Sequence, residues 1–440
     1  MSNKGKITPS ILPGFMELLP GEQVAFNGML DSIKESFELC GFLPLDTPVI
    51  EKAEILKAKG GEETERQLYA FKKGENELAL RFDLTVPFAR YVSQRMNDLT
   101  FPFKRYQIGK VFRGERPQKG RFREFYQCDI DIVDKDNLSL AYDAEILSTT
   151  YTTFERLNIG GFLIKINNRK LLTGFIESLG LNEKLSKILR NIDKKDKTGD
   201  ESVKQELSNM GCSSAQVEKL IKFINTDGTP KEIIKSLAAL NIGNENFQTG
   251  LEEMQEIVKY LGYMNIPVSC WKIDLSIARG LDYYTGTVFE TILKDYPEFG
   301  TICGGGRYDN LTEYFTSQKL PGVGVSIGLT RLFDQLSERG LIKIDGSAIL
   351  RVAVLPLGEY MELAYGLVAN LRKNNVSAEV LLLGDGLKKK LSIVNKRGIK
   401  FAAIIGENEI KNKVITIKDM ESGEQEEVNI ENVVDYIKKA

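Results

Sequence analysis

Across its 440 residues the chain contains no histidine. That absence removes Ser-His-Asp triads, histidine-ligated zinc and imidazole acid–base catalysis together, because histidine is the side chain whose ordinary pKa lies near neutrality. Cysteine is scarce: Cys40, Cys128, Cys212, Cys270 and Cys303 are odd in number, scattered and never spaced C-x-x-C. Such a set supports neither a disulfide framework nor a thiolate zinc site; it suits a reducing compartment and predicts a cytoplasmic protein. Also missing are an apolar run of membrane-spanning length and, in MSNKGKITPSILPGF, the apolar stretch of a signal peptide. Neither G-x-x-x-x-G-K-[ST] nor G-x-G-x-x-G occurs, so any nucleotide site uses another scaffold. A net charge of −2 leaves no global basic field, and nucleic acid would have to be met by local patches. What remains is an ordinary globular composition, 42% hydrophobic and 27% charged, with length enough for two or three domains.

Residues 22–40, EQVAFNGMLDSIKESFELC, repeat apolar side chains at helical spacing and end plausibly at Gly41, before the extended segment FLPLDTPVIE. Between 78 and 133 the stretches LALRFDLTVPF, FKRYQIGKVFR and EFYQCDIDIV are short, alternating and aromatic, which predicts strands. The last two flank the polar loop GERPQKGRFR and read as a long antiparallel hairpin. From about 182 to 262 the chain turns rich in Lys, Glu and periodic Leu, as an inserted helical module would. Strand patterns return at 271–275, 286–293 and 322–327. After residue 350, strand candidates at 351–357, 377–383, 401–406 and 414–419 alternate with helical stretches around 360–374, 386–397 and 430–439. That predicts a separate small α/β domain, and an α+β fold for the chain as a whole.

Five stretches concentrate chemistry. VFRGERPQKGRFREFYQCDID places Arg113, Arg116, Lys119, Arg121 and Arg123 within eleven residues, interleaved with Phe112, Phe122 and Phe125. A solvated hairpin turn needs no such bias toward arginine, which grips phosphate or carboxylate bidentately, while aromatic faces stack a base. CGGGRYDNL at 303–311 holds three consecutive glycines, suited either to a tight turn or to close approach of backbone to a ligand. GVGVSIGLTRL at 322–332 is a glycine-punctuated strand leading into a helix that carries Arg331. In LRFDLTVPFAR, Asp83 and Thr85 interrupt what reads as an apolar strand, where they serve either a ligand or a turn. IARGLDYYTGTVFE at 277–290 gathers Arg279, Asp282, Tyr283 and Tyr284 with Gly280 and Gly286.

Together these stretches resemble the class II aminoacyl-tRNA synthetases, and among them the histidyl-tRNA synthetase family, over essentially the whole chain. The opening helix with FLPLDTPVIE and Pro48 resembles motif 1, the hairpin with Phe112-Arg113-Gly114-Glu115 motif 2, and GVGVSIGLTRL motif 3. RGLDYYTG followed by CGGGRYDNL is similar to the paired histidine-recognition motifs, and that signal is the specific one. The resemblance implies a catalytic domain over 1–350 built on an antiparallel sheet, a helical insertion at about 182–262, and an anticodon-binding α/β domain over 351–440. It implies ATP with Mg²⁺, L-histidine and tRNA(His) as substrates, and a homodimer formed through motif 1, with no resident structural metal. By position, Arg113 and Arg279 would hold the α-phosphate and Arg331 the γ-phosphate. Glu115 and Arg121 would serve ATP, with Phe125 stacked on adenine. Asp131, Gln127 and Tyr284 would pair the imidazole, Arg279 and Tyr283 would also meet the amino acid, and Asp83 and Thr85 would take the α-amino group. Arg116, Gln118, Lys119 and Arg123 would face the tRNA acceptor end. Two departures are visible: Tyr126 stands where the family often has histidine, and Gly114 fills a variable place in motif 2. The competing expectation is a catalytically silent relative, either a regulatory subunit of histidine biosynthesis or a sensor of uncharged tRNA.

Overall fold

The computed structural model describes residues 8–58, 62–116, 120–278, 284–342, 344, 349–382 and 386–439. Among these the chain divides into two compact units, one of residues 8–16 and 30–338, the other of 17–29 and 339–439.

The first unit is organised by an eight-stranded sheet. Its spatial order is Leu43–Pro44, Phe103–Phe112, Glu124–Val133, Gly322–Gly328, Cys303–Tyr308, Thr287–Leu293, Phe162–Asn168 and Trp271–Ile273. Neighbours run antiparallel except at the two edges, where Leu43–Pro44 joins Phe103–Phe112 and Trp271–Ile273 joins Phe162–Asn168 in parallel. The motif 2 hairpin is regular over all ten pairs, from Phe103 opposite Val133 to Phe112 opposite Glu124. Because side chains alternate along each strand, registered partners share a face. One transverse row reads Tyr106, Ile130, Val325, Gly305, Phe289, Ile166, and it is buried. The rows on the other face read Gln107, Asp129, Ser326, Gly304, Glu290, Lys165 and Arg105, Asp131, Gly324, Gly306, Val288, Asn167. One face therefore builds core, with the helix Ala141–Leu157 packed against the sheet, and the other is polar and paved with glycine.

That paving removes the tight-turn reading of CGGG. Residues 303–308 form a strand, and none of its glycines has positive φ. Gly305 and Gly306 have no room for anything larger: a Cβ on Gly305 would stand 2.0 Å from the Gly324 carbonyl oxygen, and one on Gly306 2.5 Å from the Thr287 carbonyl oxygen and 2.9 Å from the Tyr284 ring. A second correction concerns LALRFDLTVPF. The strand stops at Leu80 and a helix runs Thr85–Arg95, with Pro87 inside its first turn. Proline is tolerated there because the first amides of a helix have no intrahelical partner. Asp83 starts this helix, its carboxylate accepting from the Val86 N–H at 2.9 Å.

The helix Pro20–Leu39 ends at Gly41, whose φ of 77° admits the return bond from the Phe42 N–H to the Phe37 carbonyl at 3.1 Å. The lysine- and glutamate-rich region is helical at Leu185–Ile192, Lys195–Asn209, Ser214–Ile224, Pro230–Ala239 and Glu245–Tyr263. Ser213 with Gln216 and Thr229 with Glu232 close capping boxes at two of its starts. The last of these helices is bound tightly to the sheet unit. It crosses Arg169–Ser178 so closely that a Cβ on Gly174 would lie 2.3 Å from the Phe247 nitrogen.

The second unit holds a five-stranded sheet ordered Ala378–Val380, Val352–Pro356, Phe401–Ile405, Val414–Asp419 and Gln425–Asn429, parallel through the first three and antiparallel beyond. Alternate residues of its central strands enter two cores. Val352, Val354, Phe401 and Ala403 pack with the helices Met361–Lys373 and Val433–Lys439, while Ala353, Leu355, Ala402 and Ile404 pack with Leu387–Lys396. In this unit two elements escaped the sequence reading: the strand at 425–429, whose pattern QEEVN is mostly polar, and the short helix Glu407–Asn412.

Candidate active site

The polar face of the large sheet is a buried acid cluster organised by one arginine. Along Glu124–Val133 the inward side chains are Phe125, Gln127, Asp129 and Asp131, and the last three are buried. Asp131 bonds Arg105 Nη2 through Oδ2 at 2.6 Å and accepts from the Tyr308 hydroxyl through Oδ1 at 2.6 Å. Arg105 is fully buried, its guanidinium 4.3 Å from the centre of the Phe88 ring. Its Nε and Nη1 have no hydrogen-bond partner among the described residues. Asp83 joins the cluster from the start of the Thr85–Arg95 helix. With three carboxylates around one buried guanidinium, desolvation dominates. Burial pushes Asp129 up to about 7 and Asp131 up to about 6, against the pull of Arg105, and it raises Asp83 as well. The Tyr308 hydroxyl is pushed well above its usual value, first by burial and then by the neighbouring Asp131.

Room for these groups comes from glycine across the sheet. A Cβ on Gly324 would lie 2.2 Å from Asp131 Oδ1, and one on Gly322 would lie 2.3 Å from the Tyr308 ring. Toward the hairpin loop the cluster gives way to cations and aromatics. The Arg113 guanidinium lies 4.5 Å from the Phe82 ring centre and 5.1 Å from that of Phe125, with Nε donating to the Phe82 carbonyl at 3.2 Å. Glu115 pairs with Arg121 at 3.4 Å. Arg331, in the first turn of the Leu329–Glu338 helix, donates from Nη2 to the Phe299 carbonyl at 2.6 Å. It also lies beside the hairpin loop, within 3.6 Å of where a Cβ on Gly120 would stand. Tyr284 packs with Tyr308 and Leu311, next to Gly306.

The residues singled out from sequence thus fall into three sets. Asp83, Gln127, Asp131 and Tyr284 meet in or beside the acid cluster, with Thr85 in the first turn of the helix that Asp83 starts. Arg113, Glu115, Arg121, Phe125 and Arg331 gather at the base of the hairpin loop. Arg279, Tyr283, Gln118 and Lys119 lie outside the described residues. Arg116 is exposed, whereas Arg123 is half-buried and tied to its own loop, donating from Nε to the Glu115 carbonyl at 3.0 Å and from Nη1 to the Pro13 carbonyl at 3.4 Å. That bonding makes Arg123 a shaper of the loop, beside the role expected for it at the tRNA acceptor end.

Other contributors were missed. Arg105, Asp129, Tyr308 and Ser326 lie inside the stretches quoted above but were not singled out, although period-two alternation places all four on the polar face. Asn167 is fully buried and its amide donates to the carbonyls of Leu275 at 3.2 Å and Ile277 at 2.8 Å. The Arg169 N–H bonds the Gly286 carbonyl at 2.8 Å. The two ends of the 277–286 stretch are therefore pinned to one strand-to-helix junction.

A mainly antiparallel sheet carrying a motif 2 hairpin, a motif 3 strand and helix, and a polar glycine-lined face between them defines the catalytic domain of a class II aminoacyl-tRNA synthetase. Comparison with known proteins narrows the class. The histidyl-tRNA synthetase family profile matches residues 14–332, and the anticodon binding domain profile matches 351–440. A histidine–tRNA ligase of Clostridium tetani is 52% identical over 438 residues, covering 99% of this chain and all of that protein. One from Clostridium acetobutylicum is 47% identical over 430 residues, covering 97% and 99%. The crystal structure of histidyl-tRNA synthetase from Nostoc sp. PCC 7120 superposes with a TM-score of 0.90 at 38% identity, over 99% of this chain and all of that one. The chain belongs to the histidyl-tRNA synthetase family. The fold alone is shared with a structure from Bacillus halodurans, described as an ATP phosphoribosyltransferase regulatory subunit/histidyl-tRNA synthetase, at 21% identity and a TM-score of 0.74, over 88% of this chain and 97% of that one.

Proposed function

We infer that this chain is a histidine–tRNA ligase that joins L-histidine to ATP and passes the histidyl group to the 3′ end of tRNA(His). In the first step a carboxylate oxygen of histidine attacks the α-phosphorus, the bond to the β-phosphate oxygen breaks, and MgATP yields histidyl-adenylate and pyrophosphate. Two anions must meet, so cations have to be fixed in advance where the five-coordinate phosphorus develops charge. Arg113 and Arg279 take that role, Arg331 holds the γ-phosphate, Glu115 and Arg121 orient ATP, and Phe125 stacks on adenine. In the second step a ribose hydroxyl of the terminal adenosine attacks the acyl carbon and AMP leaves. Arg116, Gln118 and Lys119 guide the acceptor end, mostly through its backbone.

The acid cluster is the observation that carries the choice of amino acid. Histidine brings an α-ammonium and an imidazole N–H, and Asp83, Gln127 and Asp131 offer acceptors for both, with Tyr283 and Tyr284 beside the ring and Thr85 beside the amino group. A site whose buried acceptors need those donors rejects analogues lacking them by leaving the acceptors unpaired, so no editing activity is needed. Leu39, Leu43, Val49 and Ile50, all on or near motif 1, are 68%, 59%, 40% and 47% exposed. That run of apolar surface supports a homodimer, which sedimentation velocity would show as a species of twice the chain mass. Histidine-dependent exchange of pyrophosphate into ATP, run against all twenty amino acids, tests the ligase assignment. Exchange with histidine alone is expected, and its absence with every amino acid would return the chain to a regulatory or sensing role.

A further inference from the structure

Gln127, Ser326 and Asp129 form a short chain of hydrogen bonds whose direction is set by one proton. Gln127 Nε2 donates to Ser326 Oγ at 2.7 Å. The Ser326 side chain faces the Asp129 carboxylate and holds its pKa down, and Asp129 Oδ1 is buried with no partner among the described residues. Ser326 and Asp129 face each other in register on adjacent strands, with Gln127 two residues before Asp129 on the same face. A carboxylate only accepts, so the single hydroxyl proton of Ser326 goes to Asp129, and the serine oxygen can then only accept from Gln127. The amide is thereby oriented, and its carbonyl oxygen Oε1 is left buried with no partner among the described residues.

We propose that Asp129 and Ser326 are positioning residues for the amino-acid substrate, holding the Gln127 amide so that Oε1 accepts an N–H of bound histidine. This rests on the placement of Gln127 in the histidine site. The device also reverses. Once protonated, Asp129 can donate to Ser326, whose hydroxyl then donates to Gln127, and the amide turns its two N–H groups toward the substrate N–H. Burial places the Asp129 titration near 7, opposed by Arg105 on the facing strand and reinforced by Asp131 and Asp83. Cys128 and Tyr308 are the other titratable groups nearby, and burial pushes both well above neutrality. Acidification should therefore weaken histidine binding through this relay.

The test is the histidine KM, the ATP KM and kcat in pyrophosphate exchange, measured on the full chain and on Asp129→Asn and Ser326→Ala from about pH 6 to about pH 8.5. Asparagine mimics the protonated acid, so Asp129→Asn should raise the histidine KM about tenfold at the alkaline end, the value of one hydrogen bond to a charged group. The ratio of variant to wild-type KM should fall toward one at the acid end, where the titration of free histidine cancels. Ser326→Ala should raise the histidine KM while leaving the ATP KM in place, and it decides the matter alone should Asp129→Asn not fold. A ratio independent of pH, an equal rise in the ATP KM, or an unchanged KM in Ser326→Ala would overturn the relay. Loss of exchange by the wild type would instead overturn the ligase assignment.

Discussion

Replacing Gly324 with alanine should damage the amino-acid site from beneath. The added Cβ would stand 2.2 Å from Asp131 Oδ1, 2.6 Å from its Cγ and 2.5 Å from the Ile130 carbonyl oxygen. The carbonyl cannot yield, because its strand is hydrogen-bonded on both sides. The carboxylate must swing away, breaking its 2.6 Å contacts with Arg105 and with Tyr308. Overpacking alone costs about 1–3 kcal/mol, and breaking a buried ion pair about 3–5 kcal/mol. Since one movement relieves the first by incurring the second, the two do not add fully, and a net loss of roughly 4 kcal/mol is expected. The displaced Asp131 would also lose the bond to substrate proposed for it, worth about 1.5–3 kcal/mol, so the histidine KM should rise about ten- to a hundredfold. Thermal unfolding and pyrophosphate exchange measure the two effects, with the ATP KM as the internal control. A Gly324→Ala enzyme with unchanged melting and a histidine KM within about twofold of wild type would refute the view that glycine is there to seat Asp131.

Asp129→Asn should stabilise the fold at alkaline pH even as it weakens binding. Asp129 stands at about 7 when folded against 3.8 as a model acid, so the folded state binds the extra proton and stability falls as pH rises between those values. Removing the charge should gain up to about 4 kcal/mol near pH 8, at about 1.4 kcal/mol per unit, and almost nothing near pH 4. A melting difference independent of pH would contradict this. Arg279→Ala should lower kcat by about 3 kcal/mol or more with little change in the ATP KM, by analogy with the removal of one oxyanion donor. Single-turnover kinetics would show a loss confined to KM if Arg279 only binds.

The elements read best from sequence were those whose pattern and punctuation agree. The hairpin alternates cleanly on both sides of a polar loop, and Gly41 marks a helix end by its own chemistry. Misreadings came where one local signal concealed another. FDLTVPF has the aromatic, β-branched content of a strand, but Asp83 is a helix starter and Pro87 fits a first turn, so the chain turns instead. CGGG was read through the conformational freedom of glycine, whereas the strand needs glycine for its lack of volume. Volume is set by partners that lie far off in sequence, Thr287 and Tyr284 for Gly306 and Asp131 for Gly324, and no window of the chain reveals them. The same limit hid Arg105 and Asp129. Their alternation was visible, but only the register across several strands shows that they face Asp131 and Ser326.

The missing histidine acquires a physical use in this setting. A synthetase with its own histidines would mix their titration with that of the substrate and of the site. Here the described groups that burial brings toward neutrality are carboxylates of the acid cluster, Asp129 at about 7 and Asp131 at about 6. Both lie on one strand beneath the position assigned to the amino acid. When histidine binds, its cationic amino group approaches that pair, and a nearby positive charge lowers an acid pKa. Binding should therefore release protons from the cluster between about pH 6 and about pH 7.5, and reciprocally a lower pH should weaken binding. Proton release, measured as the dependence of the calorimetric binding heat on buffer ionisation enthalpy, then has three sources: Asp129, Asp131 and the ligand. Histidinol and histidine methyl ester keep the ring and the amine but lack the carboxylate, and Asp129→Asn removes one acid. The protein's share is thus separable from the ligand's in a way that a histidine-bearing relative would not allow.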